Sequence, residues 1–184
     1  ITSAHLLIHI AIPCFPLVVI IMPEYYDALV TLNFISLAIL IHTNSCGYLE
    51  LLISRNREKL AAILSSVALV LNCLFALFAV NVLKVSFSYV IIATLLAYLV
   101  FTILVTYYGC KLLGELNSRD FFSRYMPFRL MVPYLLSFSL SVLGCENVVM
   151  LLPLLLFVVL NFRTFCKIVD AIKTILFRPE AFSI

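Results

Sequence analysis

A stretch of 24 uncharged residues, 60–83, restricts the possible folds of this chain more than any other feature. As an α-helix it would extend about 36 Å, which exceeds the ~30 Å hydrocarbon thickness of a lipid bilayer. Across the whole chain 65% of residues are hydrophobic and 11% are charged. A soluble domain of 184 residues cannot bury that much apolar surface. We therefore expect an all-α, polytopic transmembrane helix bundle embedded in the lipid bilayer.

Six uncharged stretches divide the chain, and each is a predicted membrane-spanning helix. The predicted spans are 1–21, 28–49, 60–83, 85–110, 130–145 and 147–162. The helix of the second span is expected to continue towards Ser54. The last two spans have 16 residues each, so a re-entrant hairpin with Glu146 at its tip is the alternative to two full spans. The amphipathic tail, 163–177, is expected to extend the last helix out of the membrane.

The lysines and arginines are distributed unevenly among the connections between the predicted spans. In chain order the connections hold 0, 3, 1, 4 and 0 of them, and the tail holds 4. Short cationic loops stay on the cytoplasmic side of a membrane. The alternation therefore predicts that both ends of the chain are cytoplasmic. It also accounts for the net charge of +3 without nucleic-acid binding.

The charge pattern and the span lengths predict three regions. Residues 1–114 would form four transmembrane helices, 115–129 a cytoplasmic loop at the membrane interface, and 130–184 a final helix pair with a basic cytoplasmic tail. The sequence begins within an apolar stretch, as if in the middle of a helix. We interpret the chain as the C-terminal part of a larger membrane protein, and the preceding helices of that protein would be among its partners.

The sequence contains none of the residue patterns that mark common enzyme classes. HExxH, GxSxG and a phosphate-binding glycine loop are all absent. The six cysteines are scattered without a CxxC pair, which does not indicate a zinc site or a disulfide framework. His5 and His9 are spaced to share a metal, but no third ligand lies nearby in the sequence, so they are expected to face the bundle interior or a water-filled cavity. We expect neither an enzyme nor a cofactor or metal site.

Polar and small side chains recur at helical spacing along three of the predicted spans. The second span carries such a stripe at Asn33, Ser36, Thr43, Gly47, Glu50 and Ser54. The third carries Ala61, Ser65, Ala68, Asn72, Ala76 and Ala79, and the fourth carries Thr94, Tyr98, Thr102 and Thr106. Small residues allow helices to approach closely in lipid, and polar ones hydrogen-bond between helices or line a path for a solute.

Six residues are the candidates for such a path: His42, Asn33, Thr43, Glu50, Ser65 and Asn72. An ionisable side chain within a span is a functional-site candidate, so His42 either contributes to the path or packs against a neighbouring helix. The asparagines and serines either line the path or join helices through hydrogen bonds. Glu50 is either a proton site or a surface partner of Arg55 or Arg57.

Several weak patterns are similar to those of bacterial polysaccharide exporters. They are an outer loop with tyrosines (24–26), a long helix ending in a short basic turn (55–59), an asparagine in the middle of the next span (Asn72), an Ala-Thr pair near the start of the following helix (93–94), and a basic tail marked by Pro179. In these features the chain resembles the lipid-linked oligosaccharide flippases of the O-antigen type, within the MATE-like superfamily. Members usually have glycines in the turn before the Ala-Thr pair, whereas residues 81–86 contain none.

This resemblance implies a fold of two helical lobes that alternate access across the membrane. The chain would form most of the second lobe, and its substrate would be a lipid-linked oligosaccharide carried across the bacterial inner membrane. A drug/cation antiporter of the same superfamily is the alternative transporter. A fragment of a membrane-embedded glycosyltransferase or acyltransferase would require an acid–histidine pair, which we do not find. A complete six-helix structural protein is disfavoured by the absence of an initiating methionine.

Overall fold

The computed structural model describes residues 1–45, 47–114, 127–145 and 147–177, and within these the chain is helical with no strand. The α-helices are α1 (Thr2–Ile21), α2 (Leu29–Thr43), α3 (Tyr48–Ser54), α4 (Glu58–Asn81), α5 (Ile91–Leu113), α6 (Phe128–Val142), α7 (Leu151–Leu160) and α8 (Phe162–Phe177). Short 3₁₀ turns precede α2, α5 and α7. The predicted all-α fold class is confirmed for this part of the chain. Of the predicted interfacial loop, 115–126 lies outside the described residues.

Helices α2 and α5 form the centre of the bundle. α5 packs against α2, α3 and α4, and α2 also packs against α1 and α6. Buried apolar side chains join α1, α2, α5 and α6 in one core cluster, which includes Ile12, Leu37, Leu40, Leu95 and Tyr134. A second cluster joins α3, α4 and α5 through Leu52, Ala61, Leu64, Phe101 and Val105. The core therefore surrounds α2 and α5, two of the three helices that carry polar stripes in the sequence.

Within the described residues, four helices are long and apolar enough to cross a membrane, or five if the bent pair of α7 and α8 counts as one span. They are α1, α2 with its preceding turn, α4 and α5. α6 is apolar but has only 15 residues, which corresponds to about 22 Å of helix. The prediction of several helices long and apolar enough to span a membrane is thus confirmed, whereas the count of six spans stays a prediction.

The expectation of one continuous helix from the second span to Ser54 is wrong. α2 ends at Thr43, and α3 begins at Tyr48 after a turn in which Gly47 has φ +92°. The hydroxyls of Thr43 and Ser45 donate to the carbonyls of Leu40 and His42, each at 2.7 Å. Such local hydrogen bonds compete with helix continuation, and glycine adopts the left-handed conformation that redirects the chain. The predicted polar stripe is therefore divided between two helices.

The expectation that the tail extends the last helix is also wrong. α7 and α8 meet at an angle of 86° at Asn161. The buried Asn161 side chain donates to the carbonyls of Phe157 and Arg129, both at 3.1 Å. Phe165 and Ile168 of α8 pack beside a core cluster formed by α1, α6 and α7. The amphipathic pattern thus turns α8 back against the bundle, because its apolar side chains have buried partners there.

Helix α5 approaches α3 closely at Gly109. A Cβ atom built on this residue would overlap the ring of Tyr48. We expect Gly109→Leu to lower the stability of the bundle by about 1–3 kcal/mol, because added volume forces packed side chains to shift. Thermal unfolding in detergent measures this effect. The double variant Gly109→Leu/Tyr48→Ala should recover part of the loss, and equal stability of wild type and Gly109→Leu would contradict the close approach.

Candidate functional site

A groove between α2, α3, α4 and α5 brings together three of the six predicted residues. It has a volume of about 310 Å³ and contains His42, Ser65 and Asn72. Tyr98 and Phe101 of α5 form part of its wall, and the remaining lining residues are apolar. The volume falls at the lower end of the ~300–1,000 Å³ typical of small-molecule sites. Mostly apolar walls with a few polar groups are also typical of such sites.

His42 packs against two aromatic rings of α5 and carries a buried polar atom. Its ring centroid lies 5.1 Å from that of Tyr98 and 5.7 Å from that of Phe101, stacked on the latter at 30°. Its Nδ1 is buried and has no hydrogen-bond partner among the described residues. A buried nitrogen without a partner is costly unless a ligand or water completes its bonding. His42 therefore combines an aromatic face with a buried nitrogen that has no partner among the described residues.

Asn72 connects the groove to the interface between α4 and α5. Its Oδ1 accepts a hydrogen bond of 3.1 Å from the hydroxyl of Thr94. This bond leaves the amide nitrogen of Asn72 as the atom that the side chain can offer to a ligand. Ser65, two helical turns earlier on α4, is exposed and adds a hydroxyl that can donate and accept. The polar groups of α4 thus lie along the same groove as the rings of α5.

The other three predicted residues do not line the groove. Asn33 is buried on α2, and its Oδ1 has no hydrogen-bond partner in the described part of the chain. Thr43 bonds within its own helix. Glu50 is exposed and accepts a hydrogen bond of 2.7 Å from the Gly47 backbone N–H, so it caps the start of α3. The single stripe predicted for these residues fails because the helix breaks between Thr43 and Tyr48.

A second polar cluster lies between α1, α6 and the end of α2. His5 and His9 are buried, as expected. The Nε2 of His5 lies 3.1 Å from Oδ1 of Asn44, and the Nδ1 of His9 lies 3.3 Å from Oγ of Ser137. Each ring keeps one nitrogen without a partner among the described residues. These pairs hold the helices together and place ionisable groups inside the bundle.

Sequence reasoning missed the buried polar residues of α6 and part of the groove wall. Tyr134, Ser137 and Ser141 are spaced by three and four residues, so a polar face of α6 was visible in the sequence. Phe101 gave no such signal, because an aromatic residue in an apolar span is typical of lipid contact and of helix packing alike. Within the described residues, no group of three histidines, cysteines or carboxylates is placed to hold a metal ion.

We expect Asn72→Leu to destabilise the packing of α4 on α5 by about 1–2 kcal/mol, because it removes the bond to Thr94 and adds bulk to a packed face. Asn72→Ser should have a smaller effect. Cys73→Leu is the matched control, since Cys73 is the next residue and is exposed. Thermal unfolding in detergent gives the comparison. Equal melting temperatures for Asn72→Leu and Cys73→Leu would contradict a structural role for this bond.

Comparison with known proteins gives no match among protein families, curated proteins or solved structures. The function of the protein is therefore inferred from the chemistry of the groove and from the distribution of charge in the sequence.

Proposed function

We propose that this chain is the C-terminal part of a bacterial inner-membrane transporter that flips a lipid-linked oligosaccharide for the synthesis of a surface polysaccharide. It would act as a carrier without catalysis or a cofactor. The proposal rests on one observation, the groove that combines aromatic rings with uncharged hydrogen-bonding groups. The weak sequence resemblance to O-antigen flippases points in the same direction.

The chemistry of the groove suits a sugar. A sugar ring has an apolar face that stacks on aromatic side chains, and Tyr98, Phe101 and His42 supply such surfaces. Its hydroxyls need partners that donate and accept hydrogen bonds, and the hydroxyl of Ser65 and the amide nitrogen of Asn72 can provide them. No lysine, arginine or carboxylate is among the described residues that line the groove. This composition favours an uncharged polar solute over a cation.

The arrangement of the loops supports the proposed topology. The three connections predicted to hold few cations meet at one end of the bundle, around a cavity of about 770 Å³. Its lining includes Tyr26 from the link between α1 and α2, Ser88 from the link between α4 and α5, and Gly144 from the link between α6 and α7. Arg129 and Arg163 lie together at a different pocket, at the start of α6 and α8. We propose that the first end faces the periplasm and the arginine-bearing end faces the cytoplasm.

Cysteine labelling tests this orientation. In a background without the native cysteines, Asp27→Cys should react with a membrane-impermeant reagent from outside. Asn56→Cys and Ser118→Cys should react only after the membrane is permeabilised, because they lie in cationic connections. Labelling of Ser118→Cys in intact cells would contradict the proposed topology.

Helix α4 has the exposed surface expected of an incomplete lobe. Only Ala61 and Leu64 of its 24 residues are buried. The exposed side chains include Ile63, Val70, Leu74, Leu77 and Phe78. Such an apolar surface requires contact with lipid or with other helices. We propose that the helices preceding this chain in the full-length protein complete the lobe beside the groove.

Deletion of the gene in its host tests the proposed function. We expect lipid-linked oligosaccharide to accumulate on the cytoplasmic leaflet while the surface polysaccharide disappears, because synthesis continues without transfer. An intact polysaccharide coat with increased drug sensitivity would favour the antiporter instead. Loss of polysaccharide without the lipid-linked precursor would indicate a biosynthetic enzyme and would overturn the flippase proposal.

A further inference from the structure

A pocket of about 490 Å³ lies at the elbow between α7 and α8, outside the proposed sugar groove. Two guanidinium-bearing residues, Arg129 and Arg163, line it. They lie 34 positions apart in the sequence and belong to different helices. The fold therefore concentrates positive charge at one concave site, beyond what a cationic loop alone produces.

The elbow is held in place by a buried side chain. Asn161 donates to the Arg129 carbonyl at 3.1 Å, which attaches the junction of α7 and α8 to the first turn of α6. Arg163 follows Asn161 by two residues, after the chain has turned through 86°. Because Asn161 also bonds to Phe157 on α7, three helices are fixed around the pocket. The two arginines are thus brought to the same pocket by a specific contact.

The pocket is suited to an anion for two reasons. First, α6 begins at Phe128 and α8 at Phe162, so the positive ends of both helix dipoles are directed to this region. Second, Thr164 adds a hydroxyl to the lining, and no carboxylate is among the described lining residues. Guanidinium groups bind phosphate through paired hydrogen bonds, so a phosphate group fits this pocket.

The surroundings favour a phosphate that is attached to alkyl chains. Val159 and Phe162, which also line the pocket, are 71% and 60% exposed. Leu155, one helical turn before Val159 on α7, is 65% exposed. A lipid bound with its phosphate at the arginines could place its chains along these side chains, whereas a free phosphate ion would leave them uncovered.

We propose that this elbow is a binding site for the phosphate headgroup of an anionic membrane phospholipid such as phosphatidylglycerol. Arg129 and Arg163 bind the phosphate, Asn161 positions them, and the exposed face of α7 contacts the acyl chains. The site anchors the last helix pair at the basic end of the bundle. It requires only a membrane and is independent of the solute that the protein carries.

Tryptophan quenching by brominated lipids tests this site, because the 184-residue chain contains no tryptophan. Val159→Trp provides a reporter at the pocket, and Leu155→Trp provides a second one if the first disturbs folding. The full-length protein, with any tryptophan outside residues 1–184 replaced by phenylalanine, is reconstituted into phosphatidylcholine vesicles that contain brominated phosphatidylglycerol or brominated phosphatidylcholine. We expect the anionic lipid to bind roughly tenfold more tightly at either reporter, as two basic groups at a membrane surface predict under salt screening.

Charge-removing variants distinguish this site from general attraction to basic loops. Arg129→Gln/Arg163→Gln should remove the preference for phosphatidylglycerol. Arg55→Gln/Arg57→Gln removes the same charge from another basic connection and should keep the preference.

Four results would overturn the proposal. The first is equal quenching by the two lipids at both reporters, and the second is a preference for phosphatidylglycerol that survives in Arg129→Gln/Arg163→Gln. The third is an equal loss of that preference in the control variant Arg55→Gln/Arg57→Gln. The fourth is displacement of the lipid by inorganic phosphate, which would indicate a site for a soluble anion.

Discussion

Under the proposed function, transport of the lipid-linked oligosaccharide should fall about tenfold in the Tyr98→Ala variant, because the loss of one aromatic contact costs roughly 1.5 kcal/mol. Tyr98 lies on the groove wall and packs 5.1 Å from the ring of His42. The substitution therefore removes the ring of Tyr98 as a stacking surface and leaves the ring of His42 without this packing contact. The measurement is the rate at which cells that carry only the variant restore surface polysaccharide.

Two further variants show whether this effect belongs to the groove. Tyr98→Phe keeps the ring and should retain most of the transport. Tyr107→Ala removes an exposed tyrosine from the same helix and should leave transport unchanged. Melting temperatures and membrane levels of all three variants must stay comparable to those of the wild type. Similar transport losses in Tyr98→Ala and Tyr107→Ala would contradict a role for the groove.

Phe34→Ala is expected to destabilise the bundle by about 3–5 kcal/mol, the usual cost of deleting a buried phenylalanine. Phe34 is fully buried at 0% exposure. Its ring centroid lies 5.8 Å from those of both Tyr89 and Phe138, so it joins α2 to α6 and to the turn before α5. Removing the ring leaves a cavity at the meeting point of these three segments.

Ile35→Ala is the matched control for this substitution. Ile35 is the next residue on α2 but is 36% exposed, so truncation there leaves a smaller internal cavity. Thermal unfolding in detergent should separate the two variants clearly. Equal losses of stability for Phe34→Ala and Ile35→Ala would show that Phe34 is not at the centre of the bundle.

The helical elements were predictable where charge and hydrophobicity alone define them. The uncharged run 60–83 predicts α4, whose observed bounds are Glu58–Asn81. The break at Gly47 was not predictable from hydropathy, because the residues around it are uncharged and fit a helical stripe. It depends on local hydrogen bonds of Thr43 and Ser45. The elbow at Asn161 similarly depends on a contact with Arg129, which is distant in the sequence.

Only the polar residues that line the groove were predictable from the sequence. Ser65 and Asn72 stand out because polar residues are rare in an apolar span, and His42 because it is ionisable. Phe101 and Ala97 look like ordinary residues of a membrane helix. Their role follows from the packing of α5 between α2 and α4, which brings them to the same groove. Periodicity along one helix does not identify the neighbour that each face contacts.

A reconstituted flipping assay tests the central claim most directly. The full-length protein is inserted into vesicles that hold its lipid-linked oligosaccharide in both leaflets, and a sugar-specific enzyme is added outside. With the wild-type protein nearly all of the oligosaccharide should be cleaved, because molecules of the inner leaflet are carried outward. If only the outer-leaflet fraction is cleaved, as in protein-free vesicles, the protein does not flip this lipid and the proposed function is wrong.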